Sequence, residues 1–413
     1  MMPNQPQRIY LFEDRDVAHL RPLAVLRPAM QLRRGRTLQG AFLADELSYS
    51  DVAWWVREDL VDCTREANPG RLVNVVPTQP VWWINGRLAY IPSALKAVMA
   101  SGSTRDPYPS TLVIDPAADA LVAVYGTQPP AGALMGEQGS SSTGGDGDTR
   151  IIEIEAQWLR YPWDLVATLP ESLTRSCSVE DSSPVPQQAY HKGTSSLHLA
   201  PSVLVDPGVV FNTSGGPIYV DEGAVLGAHS VINGPCYIGP HAQVRPHTQV
   251  SCAAIGFGSR IGGEVSVAVL GRYVNKVHYG FLGHSYIDSW CNLGAGTTTS
   301  NLRNDYGFIK MRMHEGRRST GMQFLGTMMG PYAKCSIGTT LNTGTLVGAV
   351  CNLFDHGFHP ADVGPFSWGS PTGGYVRYQL DRALEAIERT MARRDEALSD
   401  ADRNRLTALY QLG

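Results

Sequence analysis

Large aliphatic residues return every six positions in the second half of the chain, and a small residue stands two positions before nearly every one. The large residues are Val220, Leu226, Ile232, Ile238, Val244 and Val250, and the small ones are Ala224, Ser230, Cys236, Ala242 and Thr248. Residues two apart in an extended chain share a face, so each six-residue unit sends one small and one large side chain inward. Three such units close a triangular coil, and the pattern therefore predicts a parallel β-helix of hexapeptide repeats.

The repeat is interrupted after Val267. The series passes through Ile255 and Ile261 to Val267 and resumes at Phe281, a gap that is longer than two whole units. A coil absorbs extra residues as a loop at a corner, so we expect residues 275–280 to be displaced from the coil. A later six-residue series of inward positions is predicted at Leu325, Pro331, Ile337, Thr343 and Ala349.

The N-terminal part of the chain, 1–175, has a different pattern, in which apolar runs alternate with helical spacing. The run at 8–12 predicts a buried strand, and the runs at 80–84, 111–114, 121–125 and 151–155 predict further strands. Alternating strands and helices predict a Rossmann-like α/β sheet. The segment 132–148 is rich in Gly and Ser and predicts a mobile surface loop.

The remaining segments connect and close these two domains. The segment 176–195 is rich in Ser, Pro and Gln and predicts a linker, after which we expect the β-helix over 196–360. The segment 374–412 predicts two C-terminal helices that pack on the end of the coil or on a neighbouring subunit. The second helix begins at a cap formed by Ser399 and Asp402, and the first has apolar residues at helical spacing: Val376, Leu380, Ala383, Leu384, Ile387 and Met391.

Composition narrows the function. The chain has 413 residues and a formal net charge of -4, so no overall basic field favours nucleic acid. Its seven cysteines include no Cys-x-x-Cys pair, which indicates neither a metal cluster nor a disulfide framework. No apolar run approaches the length of a membrane span, and the N-terminus has no apolar signal region. We therefore expect a cytoplasmic protein.

Arginines crowd the stretch after the first predicted strand. In Rossmann-like folds this region binds phosphates, and planar guanidinium groups suit a nucleoside triphosphate or a sugar phosphate. The alternative is a solvated, arginine-rich loop. The candidate nucleotide-binding and phosphate-binding residues are Arg21, Arg27, Arg33 and Arg36.

The interrupted part of the repeat carries a family resemblance. The runs His278-Tyr-Gly-Phe-Leu-Gly and Asn292-Leu-Gly-Ala-Gly-Thr, followed by Asn301, are similar to the acetyltransferase domain of the bifunctional N-acetylglucosamine-1-phosphate uridylyltransferase/glucosamine-1-phosphate acetyltransferase family. Gly280-Phe-Leu-Gly-His-Ser-Tyr and Asn342-Thr-Gly-Thr-Leu-Val-Gly resemble a related bacterial group of sugar nucleotidyltransferases more closely. The resemblance implies a left-handed β-helix, a homotrimer, and a role in cell-envelope biosynthesis.

The resemblance also implies roles for particular residues. His278 matches the catalytic base, and a neutral imidazole is well suited to take the proton of an attacking amine near pH 7. Acetyl-CoA or another acyl-CoA is the implied co-substrate, and an amino-sugar phosphate is the implied acceptor. Phe281 and Leu302 replace two sugar-binding tyrosines of the family. The implied oxyanion-binding and acceptor-binding residues are Asn292, Ala295, Asn301 and Lys276, and the implied coenzyme-binding residues are Gly294 and Gly296.

In the first domain the match is degenerate. Ala29 stands where the family has a lysine, and Asn85-Gly86-Arg87 follows the strand where a metal-binding aspartate is expected. Nucleotidyl transfer to a sugar 1-phosphate needs a divalent ion such as Mg²⁺ to hold the phosphates. Asp14 and Asp16 are the candidate ligands.

Three functions are open at this point. The first is acyl transfer in the β-helix, coupled to nucleotidyl transfer in the first domain. The second is a non-catalytic trimer that binds a nucleotide-sugar or regulates another protein. The third is a zinc hydratase built on histidines from adjacent coils, for which the sequence supplies His229, His241, His247, His278, His284 and His314.

Overall fold

The computed structural model describes residues 8–101, 111–130, 149–313 and 316–412. The predicted loop at 132–148 lies outside these ranges. The chain forms two compact units. The first unit contains Met1–Leu20, Leu26–Leu32 and Leu38–Arg160, and the β-helix unit contains Arg21–Val25, Arg33–Thr37 and Tyr161–Gly413.

The first unit is built on one mixed six-stranded sheet, in the order β4-β1-β5-β7-β6-β8. β4, β1 and β5 are parallel, while β7 runs antiparallel to both of its neighbours. All five predicted strands are confirmed; β4 was not predicted. The strands up to residue 160 are Arg8–Phe12 (β1), Arg33–Arg34 (β2), Thr37–Leu38 (β3), Asp51–Trp55 (β4), Val81–Asn85 (β5), Thr111–Asp115 (β6), Ala120–Gly126 (β7) and Arg150–Glu153 (β8).

Short helices connect these strands, and aromatic residues on the strands form part of the core. Tyr10, Phe12 and Trp83 pack together with Ala53 and Val81. The α-helices of the first unit are Gln39–Leu47 (α1), Val61–Ala67 (α2) and Ser93–Ala100 (α3), and Asp164–Ala167 (α4) and Leu169–Cys177 (α5) follow in the β-helix unit. The 3-10 helices are Arg15–Leu20, Ala29–Gln31 and Glu58–Leu60.

The β-helix unit confirms the predicted parallel coil, which has three faces. Face A contains Leu197–Leu199 (β10), Ile218–Val220 (β13), Cys236–Ile238 (β16), Thr327–Met329 (β27), Thr345–Val347 (β30) and Asp362–Val363 (β32). Face B contains Leu204–Val205 (β11), Val225–Leu226 (β14), Gln243–Val244 (β17), Arg260–Ile261 (β19), Asn275–Lys276 (β21), Asn292–Leu293 (β23), Lys334–Cys335 (β28), Asn352–Leu353 (β31) and Ser367–Ser370 (β33).

Face C begins inside the segment predicted as a linker, because Tyr190–Lys192 pairs with Val210–Asn212. Three long strands run from face C across the corner into face A: Gln249–Ile255 (β18), Glu264–Leu270 (β20) and Phe281–Ile287 (β22). The other strands of face C are Tyr190–Lys192 (β9), Val210–Asn212 (β12), Val231–Asn233 (β15), Thr298–Thr299 (β24) and Thr340–Leu341 (β29).

The predicted inward series before residue 255 is confirmed, since all of its large and small residues are buried. The later phase is wrong at Val267 and Phe281, because coil length changes there. Gln249 pairs with Glu264 and Glu264 with Phe281, so both of these coils are shorter than the three full units of the earlier coils. The inward positions are therefore Val265 and Leu282, which are fully buried. Val267 forms the corner itself, with a left-handed φ of 48°.

The last predicted series is also out of phase. Ile337 is 70 % exposed, and the buried column is instead Met329, Cys335, Leu341, Val347 and Leu353, which keeps the six-residue period. An antiparallel hairpin, Lys310–Met313 (β25) and Gly316–Ser319 (β26), is inserted just before this column. The inserted segment breaks the count from the earlier coils, so the period was predictable here but the phase was not.

The chain ends in a short strand, Gly374–Arg377 (β34), and two helices, Leu380–Ala392 (α6) and Asp400–Leu412 (α7). The apolar stripe of α6 is confirmed by the burial of Ala383, Leu384, Ile387 and Met391, whereas Val376 lies in β34 and is exposed. The predicted cap forms, because the Asp402 amide donates to Ser399 Oγ.

The C-terminal helices are tied to the rest of the β-helix unit by hydrogen bonds. Lys334 Nζ donates to Thr390 Oγ1, and the Tyr273 hydroxyl donates to Glu396, so α6 lies beside face B. Arg405 donates from Nε and from one terminal nitrogen to the Val25 carbonyl at 3.0 and 2.6 Å. Among the described residues, no helix combines the length and the apolar character that crossing a membrane requires.

Candidate functional site

The corner between faces B and C carries His278, and we call it the His278 corner. It consists of three stacked turns, 277–280, 294–297 and 336–338. The Gly296 amide donates to the Tyr279 carbonyl at 3.0 Å, and the Gly338 amide donates to the Ala295 carbonyl at 2.8 Å. These backbone bonds hold the turns of successive coils in register.

Glycine is required at this corner by the close stacking of the turns. Gly280 has a φ of 123°, and a Cβ there would lie 2.2 Å from the Thr297 carbonyl oxygen. A Cβ on Gly294 would lie 2.5 Å from the Ser336 carbonyl carbon, and Gly296 has a φ of 75°. Coil packing therefore explains Gly294 and Gly296 without a coenzyme, and their contact with a pantetheine arm stays a prediction.

The His278 corner carries an exposed imidazole on one turn and the Ala295 backbone N–H on the next turn. His278 is exposed, and the neighbouring Tyr279 is 73 % exposed with its ring against Gly296. Within the described ranges the Ala295 amide donates no hydrogen bond to the protein. An imidazole and a free backbone N–H thus lie on adjacent coils of one rigid corner.

The predicted displacement of 275–280 is wrong, because Asn275–Lys276 forms β21 in face B and 277–280 forms a turn in register with the coil; Lys276 is therefore not on a loop. It belongs to β21 and points into the coil, where it is 1 % exposed. Its Nζ donates to the Gly262 carbonyl at 2.7 Å and to the His278 carbonyl at 3.0 Å. Burial lowers the pKa of the amine from 10.5 to about 8. The ammonium is consequently turned away from any acceptor bound outside the corner.

The two predicted asparagines lie at different places on the coil. Asn292 is on face B, where its Oδ1 accepts a hydrogen bond from Asn275 Nδ2 at 2.7 Å. Asn301 lies past face C, near the next corner, with Nδ2 2.9 Å from His284 Nδ1. The His284 ring stacks on Phe324 with centroids 5.4 Å apart, and burial lowers its pKa. One chain therefore does not bring Asn301 to the His278 corner.

The arginine stretch is divided between the two units. Arg27 is in the first unit, where it donates to the Leu26 carbonyl. Arg33 and Arg36 belong to the β-helix unit and lie over the Tyr237 and Tyr219 rings of face A, with distances of 5.5 and 4.6 Å to the centroids. Arg21 also belongs to that unit and lies 3.8 Å from an oxygen of Asp362. Within the β-helix unit, Arg33 and Arg36 lie beside β16 and β13 and Arg21 lies beside β32, so these three residues do not form one cluster.

The candidate metal ligands of the first unit are already paired. Arg87, which is buried, donates to both oxygens of Asp14 at 2.5 and 2.6 Å, and Asn85 donates to Asp14 at 2.7 Å. Arg87 also donates to Asp16 at 3.3 Å. A guanidinium cation thus occupies the place beside these carboxylates, and the donor set does not fit a divalent ion. In the sequence, Arg87 stood out only because it departs from the family pattern, and its pairing with Asp14 was not predicted.

The zinc alternative finds no site in the part of the chain that the structure describes. No group of three or more His, Cys, Asp or Glu residues there is arranged to hold a metal ion. His229 and His247 stack at 5.4 Å on the same edge of the coil as His278, but without a third ligand. His314 lies outside the described residues.

The chain thus combines an α/β sheet with a hexapeptide β-helix that carries a histidine at one corner. Comparison with known proteins confirms the predicted resemblance. Residues 9–181 match the family described as sugar nucleotidyl transferase. The bifunctional sugar-1-phosphate nucleotidylyltransferase/acetyltransferase of Sulfurisphaera tokodaii is 29 % identical over 126 residues, which cover 30 % of this chain and 31 % of that protein.

Two further matches are a second bifunctional relative and a solved structure. Bifunctional protein GlmU of Azorhizobium caulinodans is 33 % identical over 146 residues, which cover 34 % of this chain and 29 % of that protein. The structure of Francisella novicida UDP-N-acetylglucosamine acyltransferase covers 51 % of this chain and 88 % of that chain, with 12 % identity and a TM-score of 0.23. The chain thus matches about a third of the length of the two bifunctional relatives.

Proposed function

We propose that the His278 corner transfers an acyl group from acyl-CoA to the amine of an amino-sugar phosphate. The observation that carries this proposal is the exposed His278 imidazole, held one coil away from the free Ala295 amide. Similarity to bifunctional nucleotidyltransferase/acetyltransferase proteins supports the same choice.

The corner has groups for both demands of the reaction. The acceptor amine attacks the thioester carbonyl carbon and forms a C–N bond, while His278 accepts the proton that the amine must lose. Negative charge develops on the carbonyl oxygen, and the Ala295 N–H is a suitable donor to it. The C–S bond then breaks, and the coenzyme leaves as a thiol that takes up the proton. Asn292 is three residues before Ala295 and is proposed to orient the acceptor.

We also propose a homotrimer. Asn301 lies near a different corner of its own chain, so it can join the acceptor site only if it comes from a neighbouring subunit. Three triangular prisms packed around a common axis bring unlike corners of neighbouring chains together. Light scattering that gives three times the 44.8 kDa mass of the chain is the expected result, and a monomer mass would contradict it.

For the first unit we propose a role with a nucleotide-sugar or its precursors, a sugar 1-phosphate and a nucleoside triphosphate. The match of residues 9–181 supports nucleotidyl transfer. The pairing of Asp14 and Asp16 with Arg87 favours a second candidate, in which this unit binds the nucleotide-sugar without turnover. No catalytic step is assigned to a metal ion at these carboxylates.

The test of acyl transfer uses His278→Ala and the matched variant His247→Ala, which removes another exposed histidine from the same edge of the coil. Thiol release is followed with acetyl-CoA and glucosamine 1-phosphate. We expect His278→Ala to lower kcat by roughly 10²- to 10⁴-fold with unchanged coenzyme affinity, and His247→Ala to have no effect. Equal turnover in His278→Ala and the unmodified protein would remove His278 as the base. Absence of turnover in the unmodified protein, with coenzyme bound, would favour the non-catalytic trimer.

A further inference from the structure

A lysine occupies a position that the β-helix otherwise gives to apolar side chains. Lys276 pairs with Ile261 in the coil before it and lies one coil from Leu293, and both of these neighbours are buried in the core. Burying an amine in such surroundings is unfavourable unless its donors are satisfied. The carbonyl oxygens of Gly262 and His278 satisfy two of its three N–H groups.

These two carbonyls belong to consecutive turns on one edge of the coil. Gly262 lies in the turn that follows β19, and His278 lies in the turn that follows β21. Lys276 therefore ties the turn that bears His278 to the turn below it from inside the coil. The Gly296 amide ties the same turn to the one above through the Tyr279 carbonyl.

We propose that Lys276 is a positioning residue that fixes the backbone at His278 and so aims the imidazole. The proposal rests on the proposed acyl transfer at this corner. A turn of this kind has few hydrogen bonds of its own, and two of its four residues are exposed. An ammonium anchored in a rigid coil restricts the His278 peptide group, and accurate placement of a base is a large part of its effect.

The contacts exclude the simpler roles for this lysine. A side chain that is 1 % exposed is not a solvated surface charge. Because its stem runs into the core, the amine also does not reach a phosphate outside the corner. The other lysine of face B, Lys334, points outward to Thr390 and provides a matched control.

The experiment compares Lys276→Met, Lys276→Gln and Lys334→Met in the full chain. Met has a similar length but no donor, whereas the Gln amide keeps two N–H groups. Hydrogen exchange is measured at the Phe281 and Gly296 amides, which flank the turn and donate to Thr298 Oγ1 and the Tyr279 carbonyl. We expect exchange at these amides to rise at least 10-fold in Lys276→Met, less in Lys276→Gln, and not at all in Lys334→Met.

The kinetic readout separates positioning from folding. With acetyl-CoA and glucosamine 1-phosphate, Lys276→Met is expected to lower kcat at least 10-fold while KM for acetyl-CoA stays within twofold. Lys276→Gln is expected to recover part of that loss. Unchanged hydrogen exchange or unchanged kcat in Lys276→Met overturns the proposal. If Lys276→Met does not fold, the same comparison is made with Lys276→Gln. If His278→Ala retains full turnover, acyl transfer by His278 fails, while the exchange data still decide whether Lys276 orders the turn.

Discussion

The buried amine of Lys276 makes the free energy of unfolding of the β-helix change with pH in the alkaline range. Burial in the coil lowers its pKa from 10.5 to about 8, because the ammonium loses hydration that two carbonyls replace only in part. Between these two pH values the unfolded chain holds a proton that the folded chain has released. The free energy of unfolding therefore rises as the pH increases from about 8 to 10.5. This contribution of Lys276 is lost as the pH falls back through the folded pKa of about 8.

The magnitude follows from the two pKa values. One pKa unit corresponds to about 1.4 kcal/mol, so a shift of this size makes the free energy of unfolding rise by about 2.5 kcal/mol between pH 7 and pH 10. Lys276→Met lacks the titrating group and should lack this part of the rise. Tyrosine and cysteine groups titrate in both proteins, so their contribution cancels in the difference.

Two measurements check this prediction. The chain has only five lysines, so selective ¹³C labelling gives few signals, and Lys276→Met identifies the one that titrates near pH 8. Urea unfolding of both proteins at the same concentration, from pH 7 to pH 10, then gives the difference in free energy. Parallel curves for the two proteins, or a Lys276 signal that titrates near 10.5, would refute the reasoning.

Two further predictions concern other buried groups. Arg87→Met leaves Asp14 buried without its ion pair and should lower the free energy of unfolding by about 3 to 5 kcal/mol, whereas Arg175→Met, at an exposed pair with Glu171, should change it by less than about 1 kcal/mol; thermal unfolding measures both. His359 Nδ1 lies 2.7 Å from the Tyr375 hydroxyl, and burial lowers the pKa of the imidazole below its ordinary value of 6.5. The contribution of His359 to the free energy of unfolding is therefore fully present above pH 6.5 and is lost as the pH falls through the lowered pKa. His359→Phe should therefore show a smaller drop in melting temperature between pH 7 and pH 5, and equal drops would contradict this assignment.

The β-helix was readable from the sequence because its signal is periodic and local. Val220 to Val250 keep one phase, and each coil there contains three equal units, as the pairing of Val231 with Gln249 shows. The shortened coils that follow have no such rule, because the chain saves length by running a strand through the corner at Cys252 and Val267. The phase beyond that point depends on pairing between coils, which residue spacing does not reveal.

The candidate site was predictable only where its residues lie at one corner of the coil. His278, Ala295 and the glycines form a corner because they follow strands of the same face in consecutive coils. Lys276 was misplaced because the gap after Val267 predicted a displaced loop, whereas the shortened coil keeps Lys276 in β21 with its side chain facing inward. Asn301 and the Asp14–Arg87 pair depend on contacts between distant segments, and Asp14 and Arg87 are 73 residues apart in the chain.

The hydrogen bonds that hold the early segments of the β-helix unit impose an order on synthesis. The Val25 carbonyl accepts from Arg405, 380 residues later, and the Arg33 amide donates to the Tyr286 hydroxyl, 253 residues later. At a ribosomal rate of about 5 to 20 residues per second, residue 25 has emerged roughly 20 to 80 s before its partner exists. The coils can close one after another as they appear, but each of these contacts forms only after its later partner has been made. The segment Arg33–Thr37 can therefore be held once Tyr286 has been made, whereas the contact of Arg21–Val25 with Arg405 forms later.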